Sequence, residues 1–105
     1  MTDRRTLVAE LLQLGQLPTD AETDNDPARL ESWEQLLDEL GAAGPLSEAE
    51  ARRLVGLFPP DDSDCYGVAW TLVHLVESAH GWPDLELLRS ATGHWPALLR
   101  KRAAS

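Results

Sequence analysis

The sequence has little of what marks several common classes of protein. It contains one cysteine, Cys65, which excludes an internal disulfide and a zinc site built on cysteine ligands. No apolar run approaches the roughly 20 residues that a transmembrane helix needs, and no strand pattern stands out. Residues 1–15 interleave acidic side chains with a short apolar run, unlike a secretory signal or a transit peptide. The sequence therefore predicts a cytoplasmic protein that does not insert into a membrane.

Positive charge is also scarce, and the charge is unevenly distributed. The formal net charge of the 105-residue chain is −9. Residues 17–64 contain thirteen acidic and three basic side chains, whereas basic residues cluster at 100–102. A negative field repels nucleic acid and anionic membranes, so neither is an expected partner, and it steers basic proteins toward the surface. The alternative is that the acidic charge serves only solubility.

Residues 63–79 are predicted to form the central helix of the fold. On a helix their apolar side chains, including Cys65 and Trp70, cover an arc of roughly 220°, which is too wide for a surface helix. We therefore expect a buried helix about 25 Å long. Its remaining face is a stripe of small and polar side chains where a second helix or a ligand could come close, formed by Gly67, Thr71, His74 and Ser78.

Apolar periodicity and helix start and stop signals predict five further helices. These cover residues 6–14, 27–42, 47–58, 84–91 and 97–103. Asp26 is the expected N-cap before Pro27, and Ser47 with Glu50 forms a capping box. Residues 16–26 read as a flexible acidic connector of turns. The prediction is a single all-α domain over residues 1–105, a small bundle or stack of about five to six short antiparallel helices around the buried central one.

Two spacings are similar to metal sites, but each lacks an essential feature. One is the oxygen pattern of a calcium loop of the EF-hand type, in which Asn25 stands where the sharp turn normally takes Gly. The other is H-x-x-E-x-x-H at 74–80, where His80 lies about 120° around the helix from His74. In the calcium-like pattern Pro27 also stands where a hydrophobic residue is normal, and the preceding helix ends too early. The three residues of the histidine pattern cannot bind one ion without a further ligand. The sequence therefore predicts no metal and no cofactor.

Catalytic motifs are equally absent from the pattern. No nucleophile elbow or Gly-rich phosphate loop occurs, and Cys65 with any histidine, or Ser63 or Ser78 with His74, matches no recognised local signature. The many carboxylates fall on surface stretches, where burial would not raise a carboxyl pKa for acid–base chemistry. We therefore predict that the protein is not an enzyme.

The charge distribution and the tryptophans of the sequence favour a binding function. Trp33 and Trp70 fit helical core positions, whereas Trp82 and Trp95 each precede a proline at a helix junction. Either of the latter two could be packed or could form an exposed anchor, since tryptophan is enriched at binding hot spots. The predicted partner-binding residues are Asp20, Glu22, Asp24, Asp26, Glu31, Glu34, Asp38, Asp61, Asp62, Trp82 and Trp95.

Two stretches resemble small bacterial proteins with short helical, HEAT-like folds. They are residues 64–83, which contain DCYGVAWTLVHLVESA and Gly81-Trp82-Pro83, and residues 94–100, HWPALLR. Some proteins of that kind look like immunity or accessory proteins that neutralise a partner encoded nearby. The leading hypothesis is thus an immunity- or antitoxin-type inhibitor of a basic protein such as a toxin. The alternative is a helical accessory or scaffold subunit that binds through an apolar surface, including as a homodimer.

Overall fold

Seven α-helices and one 3₁₀ turn make up the computed structural model, which describes residues 3–59 and 61–104. In chain order they are α1 (Arg4–Leu14), α2 (Asp20–Asn25), α3 (Pro27–Ala42), α4 (Glu48–Val55), the 3₁₀ turn Cys65–Gly67, α5 (Val68–Glu77), α6 (Leu85–Ser90) and α7 (His94–Ala103). No strand occurs within these ranges. The prediction of a small all-α bundle is confirmed.

A continuous apolar core holds the helices together. Helix α1 packs on α3 and α4, while α3 and α4 both pack on α5. Trp33 of α3, Leu54 of α4 and Leu72 of α5 are fully buried. Helix α7 joins this core through Trp95, whose ring stacks on Phe58 with centroids 5.6 Å apart. Burial of these large side chains is the main stabilising term of such a domain.

Capping side chains set where several helices begin. As predicted, Ser47 and Glu50 form a reciprocal capping box at α4, and Glu50 also pairs with Arg4 at 2.7 Å. Asp26 is the N-cap residue of α3 as predicted, but its side chain makes no cap hydrogen bond. Helix α4 ends at Val55, short of the predicted residue 58.

The central helix is shorter than the apolar pattern predicted. Helix α5 begins at Val68, because Cys65 and Tyr66 adopt φ angles of 53° and 54° and Gly67 adopts 93°. Left-handed backbone is incompatible with a continuing right-handed helix. The break turns Tyr66 outward, so that it is 68% exposed. Trp70 lies within α5 but off its buried face, which is formed by Val68, Ala69, Leu72, Val73 and Val76, and it is 37% exposed. The prediction that Trp70 lies in the core is therefore wrong, whereas Trp33 is buried as expected.

The acidic connector predicted at 16–26 contains a helix, α2, where turns were expected. Thr19 and Glu22 form a capping box that satisfies free N–H groups at its start. Thr23 of α2 is buried, and its hydroxyl donates a hydrogen bond to the Thr19 carbonyl at 3.0 Å. Asparagine and aspartate favour turns in isolation, but the cap and this buried contact favour the helix here.

Candidate functional site

The candidate site is a surface that we call the acidic face. It consists of the nine acidic residues that were predicted to bind a partner. All nine side chains are exposed, as required for contact with a partner. They come from α2, from α3, from the junction between these two helices and from the loop before the 3₁₀ turn. The acidic face consists of Asp20, Glu22, Asp24, Asp26, Glu31, Glu34, Asp38, Asp61 and Asp62.

Tyr66 lies where these elements meet. Its hydroxyl donates a hydrogen bond to the Asp24 carboxylate at 2.9 Å, which ties the 3₁₀ turn to α2. On its other side, Tyr66 and Gly67 line a groove together with Glu34 and Asp38 of α3. Tyr66 also fits the apolar period of residues 63–79, so burial was expected for it and its exposure was not predicted. Asp64 two residues before it and Gly67 directly after it were the available signals of a turn.

The loop at 61–65 is fixed to α2 by two hydrogen bonds that involve Asp20. The Asp20 carboxylate accepts from the Cys65 amide at 3.1 Å, and the Asp20 amide donates to the Ser63 hydroxyl at 3.0 Å. These contacts bring Asp61 close enough to Glu22 for the two negative charges to repel each other. Residues some forty positions apart in sequence thus share one surface.

Three members of the acidic face are not tied to this meeting point by any hydrogen bond or groove contact in the described ranges. Asp26 lies at the junction of α2 and α3, Glu31 lies one turn before Glu34, and Asp62 follows Asp61. They extend the negative surface outward from the other six residues of the acidic face. Glu39 of α3 is also exposed, and it lines a separate groove between α1 and α3.

None of the ion pairs found in the described ranges involves the acidic face. The ion pairs found among the described residues join Arg4 to Glu50, Arg52 to Glu48 and Asp84, and Arg102 to Glu77. None of those acids belongs to the acidic face. Arg29 is near Glu22, but its guanidinium donates to the carbonyls of Leu14 and Gln16, at 3.1 and 2.8 Å. The surface therefore keeps its negative charge.

Local hydrogen bonds keep two of these acids ionised. Hydrogen bonds with the backbone and hydroxyl of Thr19 lower the pKa of Glu22, and they outweigh the opposing effect of nearby Asp61. Hydrogen bonds from Ser63 lower the pKa of Asp61. In contrast, the hydrogen bond to Asp24 raises the pKa of Tyr66, because it favours the protonated hydroxyl. At neutral pH the site therefore combines carboxylates with a neutral phenol.

The two tryptophans proposed as anchors differ in burial. Trp95 is 1% exposed and its indole N–H donates to the Ser63 carbonyl at 3.2 Å. Trp95 is therefore packed and does not form an exposed anchor, because its stacking on Phe58 and this hydrogen bond hold it inside the domain. It is therefore removed from the set of surface anchors. Trp82 is half-buried and lines a small cavity with Arg52 and Asp84, a cavity that no residue of the acidic face lines.

The metal-like spacings do not assemble into coordination sites. The calcium-like pattern lies partly on α2, so its oxygens do not wrap around a point. Glu77 of the histidine pattern pairs with Arg102 at 2.6 Å. Within 3–59 and 61–104, no group of three or more histidine, cysteine or acidic side chains is arranged to hold a metal ion.

Cys65 is fully buried, and its thiol donates to the Pro18 carbonyl at 2.9 Å. Burial, with nearby Asp20, Asp64 and Asp61 acting in the same direction, raises the pKa of Cys65 to about 12. The thiolate, which is the nucleophilic form, is therefore strongly disfavoured at neutral pH. As expected from the sequence, the side chain lies among apolar residues of the core.

Comparison of the chain with protein-family models, with curated proteins and with solved structures finds no match. None of the helices in the described ranges combines the length and the apolar character needed to cross a bilayer.

Proposed function

We propose that this protein is a non-enzymatic binding module that docks on a basic protein through the acidic face. The proposal rests on one observation: carboxylates of α2 and α3 lie on either side of an exposed tyrosine, and no ion pair among the described residues involves the acidic face. The proposed class is an immunity- or antitoxin-type inhibitor that acts in the cytoplasm. A nuclease toxin, which is basic because it binds nucleic acid, is the type of partner that fits.

The proposed mechanism is occlusion of the partner's basic surface. Carboxylates of the acidic face attract lysine and arginine side chains at a distance and increase the rate of encounter. Once docked, the domain covers the basic surface that the partner needs for its own substrate. Affinity then depends on a few well-packed contacts, since exposed ion pairs contribute only about 0–1 kcal/mol each.

A second candidate is an accessory or scaffold subunit, in which binding is apolar. The observation that favours it is an open groove between α1 and α3, where half-buried Leu14 and Leu36 lie beside Ser32 and Gln35. A second copy of the chain or another helical protein could cover these leucines. This candidate predicts weak salt dependence and, for a homodimer, a mass that increases with concentration.

The first experiment is affinity capture from the native cell lysate at low salt, followed by a salt step. The test variant Glu31→Gln/Glu34→Gln/Asp38→Asn removes three charges of α3 that make no hydrogen bond or ion pair in the described ranges. The matched control, Glu10→Gln/Glu39→Gln/Glu86→Gln, removes three exposed charges outside the acidic face. We expect the native protein and the control to capture one basic protein that salt releases.

We expect the test variant to recover about tenfold less of that protein, since three exposed charge contacts of about 0.5 kcal/mol each are lost together. Equal losses in both variants would assign the effect to net charge instead of to the acidic face. Capture of a partner that salt does not release would contradict the proposal and favour the accessory-subunit candidate.

A further inference from the structure

The groove beside Tyr66 combines acidic, aromatic and apolar side chains. Glu34 and Asp38 lie one helical turn apart on α3, so their carboxylates project along the same side. The Tyr66 ring, held by the hydrogen bond to Asp24, lies opposite on the 3₁₀ turn. We call this feature the Tyr66 groove. Its remaining lining residues are Leu37, Gly67, Val68 and Thr71.

The chain itself leaves the Tyr66 groove open. A Cβ atom placed on Gly67 would meet no atom within 4 Å, and Tyr66 is the most exposed large apolar side chain described. The groove volume is about 260 Å³. Pockets for drug-sized ligands are larger, about 300–1,000 Å³, so this groove is suited to a single side chain.

We infer that the Tyr66 groove receives one arginine side chain of the basic partner. The inference rests on the proposed function and specifies which residue of the partner is recognised and where. The guanidinium would lie against the Tyr66 ring and donate to the carboxylates of Glu34 and Asp38. The aliphatic part of the arginine would contact the apolar base formed by Leu37 and Val68, which are both buried.

Arginine fits this arrangement better than lysine. Its planar guanidinium stacks on an aromatic ring and presents several N–H donors at once, so it can engage two carboxylates from one position. A lysine ammonium is compact and strongly hydrated, and it gains less from the ring. The paired carboxylates repel each other across one helical turn in the free protein, and a bound guanidinium removes that repulsion.

The test uses the purified, isotope-labelled protein and two capped peptides. One peptide alternates glycine with three arginines and the other alternates glycine with three lysines, so their charges are equal. In nuclear magnetic resonance titrations at low salt, we expect the arginine peptide to bind about two- to five-fold more tightly. The amide signals of Gly67 and Thr71 should shift most, because they lie in the groove.

Variants test the contribution of the Tyr66 ring separately from that of the carboxylates. Tyr66→Ala should abolish the preference for arginine, whereas Tyr66→Phe should keep it, because the ring remains. Glu34→Gln/Asp38→Asn should weaken both peptides, and the matched control Glu10→Gln/Glu86→Gln should keep the preference. Since Tyr66 is exposed, circular dichroism should show the same helix content in all variants.

The outcomes distinguish this inference from the proposed function. Equal affinity for the two peptides, or an unchanged preference in Tyr66→Ala, overturns the arginine groove while salt-sensitive binding to the acidic face stands. Shifts confined to the groove between α1 and α3 overturn the inference as well. If neither peptide binds at low salt, the proposed function is contradicted together with it.

Discussion

Two consecutive residues in left-handed backbone, Cys65 and Tyr66, determine the geometry of the candidate site. This conformation is uncommon for residues with a side chain and costs free energy. It is held by the Asp20 carboxylate, which accepts from the Cys65 amide, and by Asp64, which accepts from the Tyr66 amide at 3.2 Å. The result is an inward Cys65 and an outward Tyr66 at adjacent positions.

The sequence could not predict this turn, for a physical reason. Cys65, Tyr66 and Trp70 fit the apolar period of the helix that follows, and periodicity carries no information about the sign of φ. Gly67 indicates a possible break, but the partner that stabilises the turn, Asp20, lies far away in sequence. Burial of Cys65 was predicted correctly because a small apolar side chain has the same preference in either geometry.

The Cys65 thiol provides a prediction at this scale. We expect it to resist a chromogenic disulfide reagent at pH 8 in the folded protein, because burial raises its pKa to about 12. In denaturant the same thiol should react within minutes, since an exposed cysteine has a pKa of about 8.5. Rapid reaction of the folded protein, with helix content unchanged, would contradict the burial.

The same shift makes stability depend on pH. Above about pH 9 the thiol ionises in the unfolded chain but stays protonated in the folded one until about pH 12. The unfolded state is then favoured progressively, so the contribution of Cys65 to stability is lost as pH rises through that window. Chemical denaturation across that pH window should show that the free energy of unfolding falls less in Cys65→Ala than in the native protein.

At the scale of elements, α2 shows how local and tertiary signals combine. Six residues are too few for a stable isolated helix in water, because nucleation is costly. Its capping box at Thr19 and Glu22, the buried Thr23 and the contacts of Asp20 with the 61–65 loop supply the missing stability. The capping spacing was visible in the sequence, whereas the contacts with the loop were not.

Removal of the α2 cap should therefore destabilise the domain. We expect Thr19→Ala to reduce the free energy of unfolding by about 1 kcal/mol, since the hydroxyl that accepts from the Glu22 amide is lost. Thr19→Ser keeps the hydroxyl and should remain close to the native protein. Urea denaturation measures both, and equal midpoints for Thr19→Ala and the native protein would show that the cap contributes nothing.

The bounds of α3 were predicted more accurately than those of α5 and α7. Helix α3 has the predicted bounds, because Pro27 fixes its start and four buried apolar side chains define its inner face. Helix α5 lost its first five predicted residues to the turn around Tyr66. Helix α7 begins at His94, three residues earlier than predicted, since Pro96 is accommodated in the first turn.

At the scale of the whole molecule, the ion pairs found among the described residues lie outside the acidic face. Arg4, Arg52 and Arg102 pair with acids outside the acidic face and connect separate elements of the bundle. No residue of the acidic face takes part in these ion pairs. The sequence predicted where the negative charge lies, but not that the 3₁₀ turn brings residues of the twenties, thirties and sixties together.

The measurement that tests this account most directly is the association rate constant with the captured basic partner as a function of salt. Between about 0.01 and 1 M salt the screening length falls from about 30 to about 3 Å. We predict at least a tenfold decrease for the native protein, with a shallower dependence for Glu31→Gln/Glu34→Gln/Asp38→Asn. A rate that is independent of salt, or the same salt dependence in that variant, would contradict docking through the acidic face.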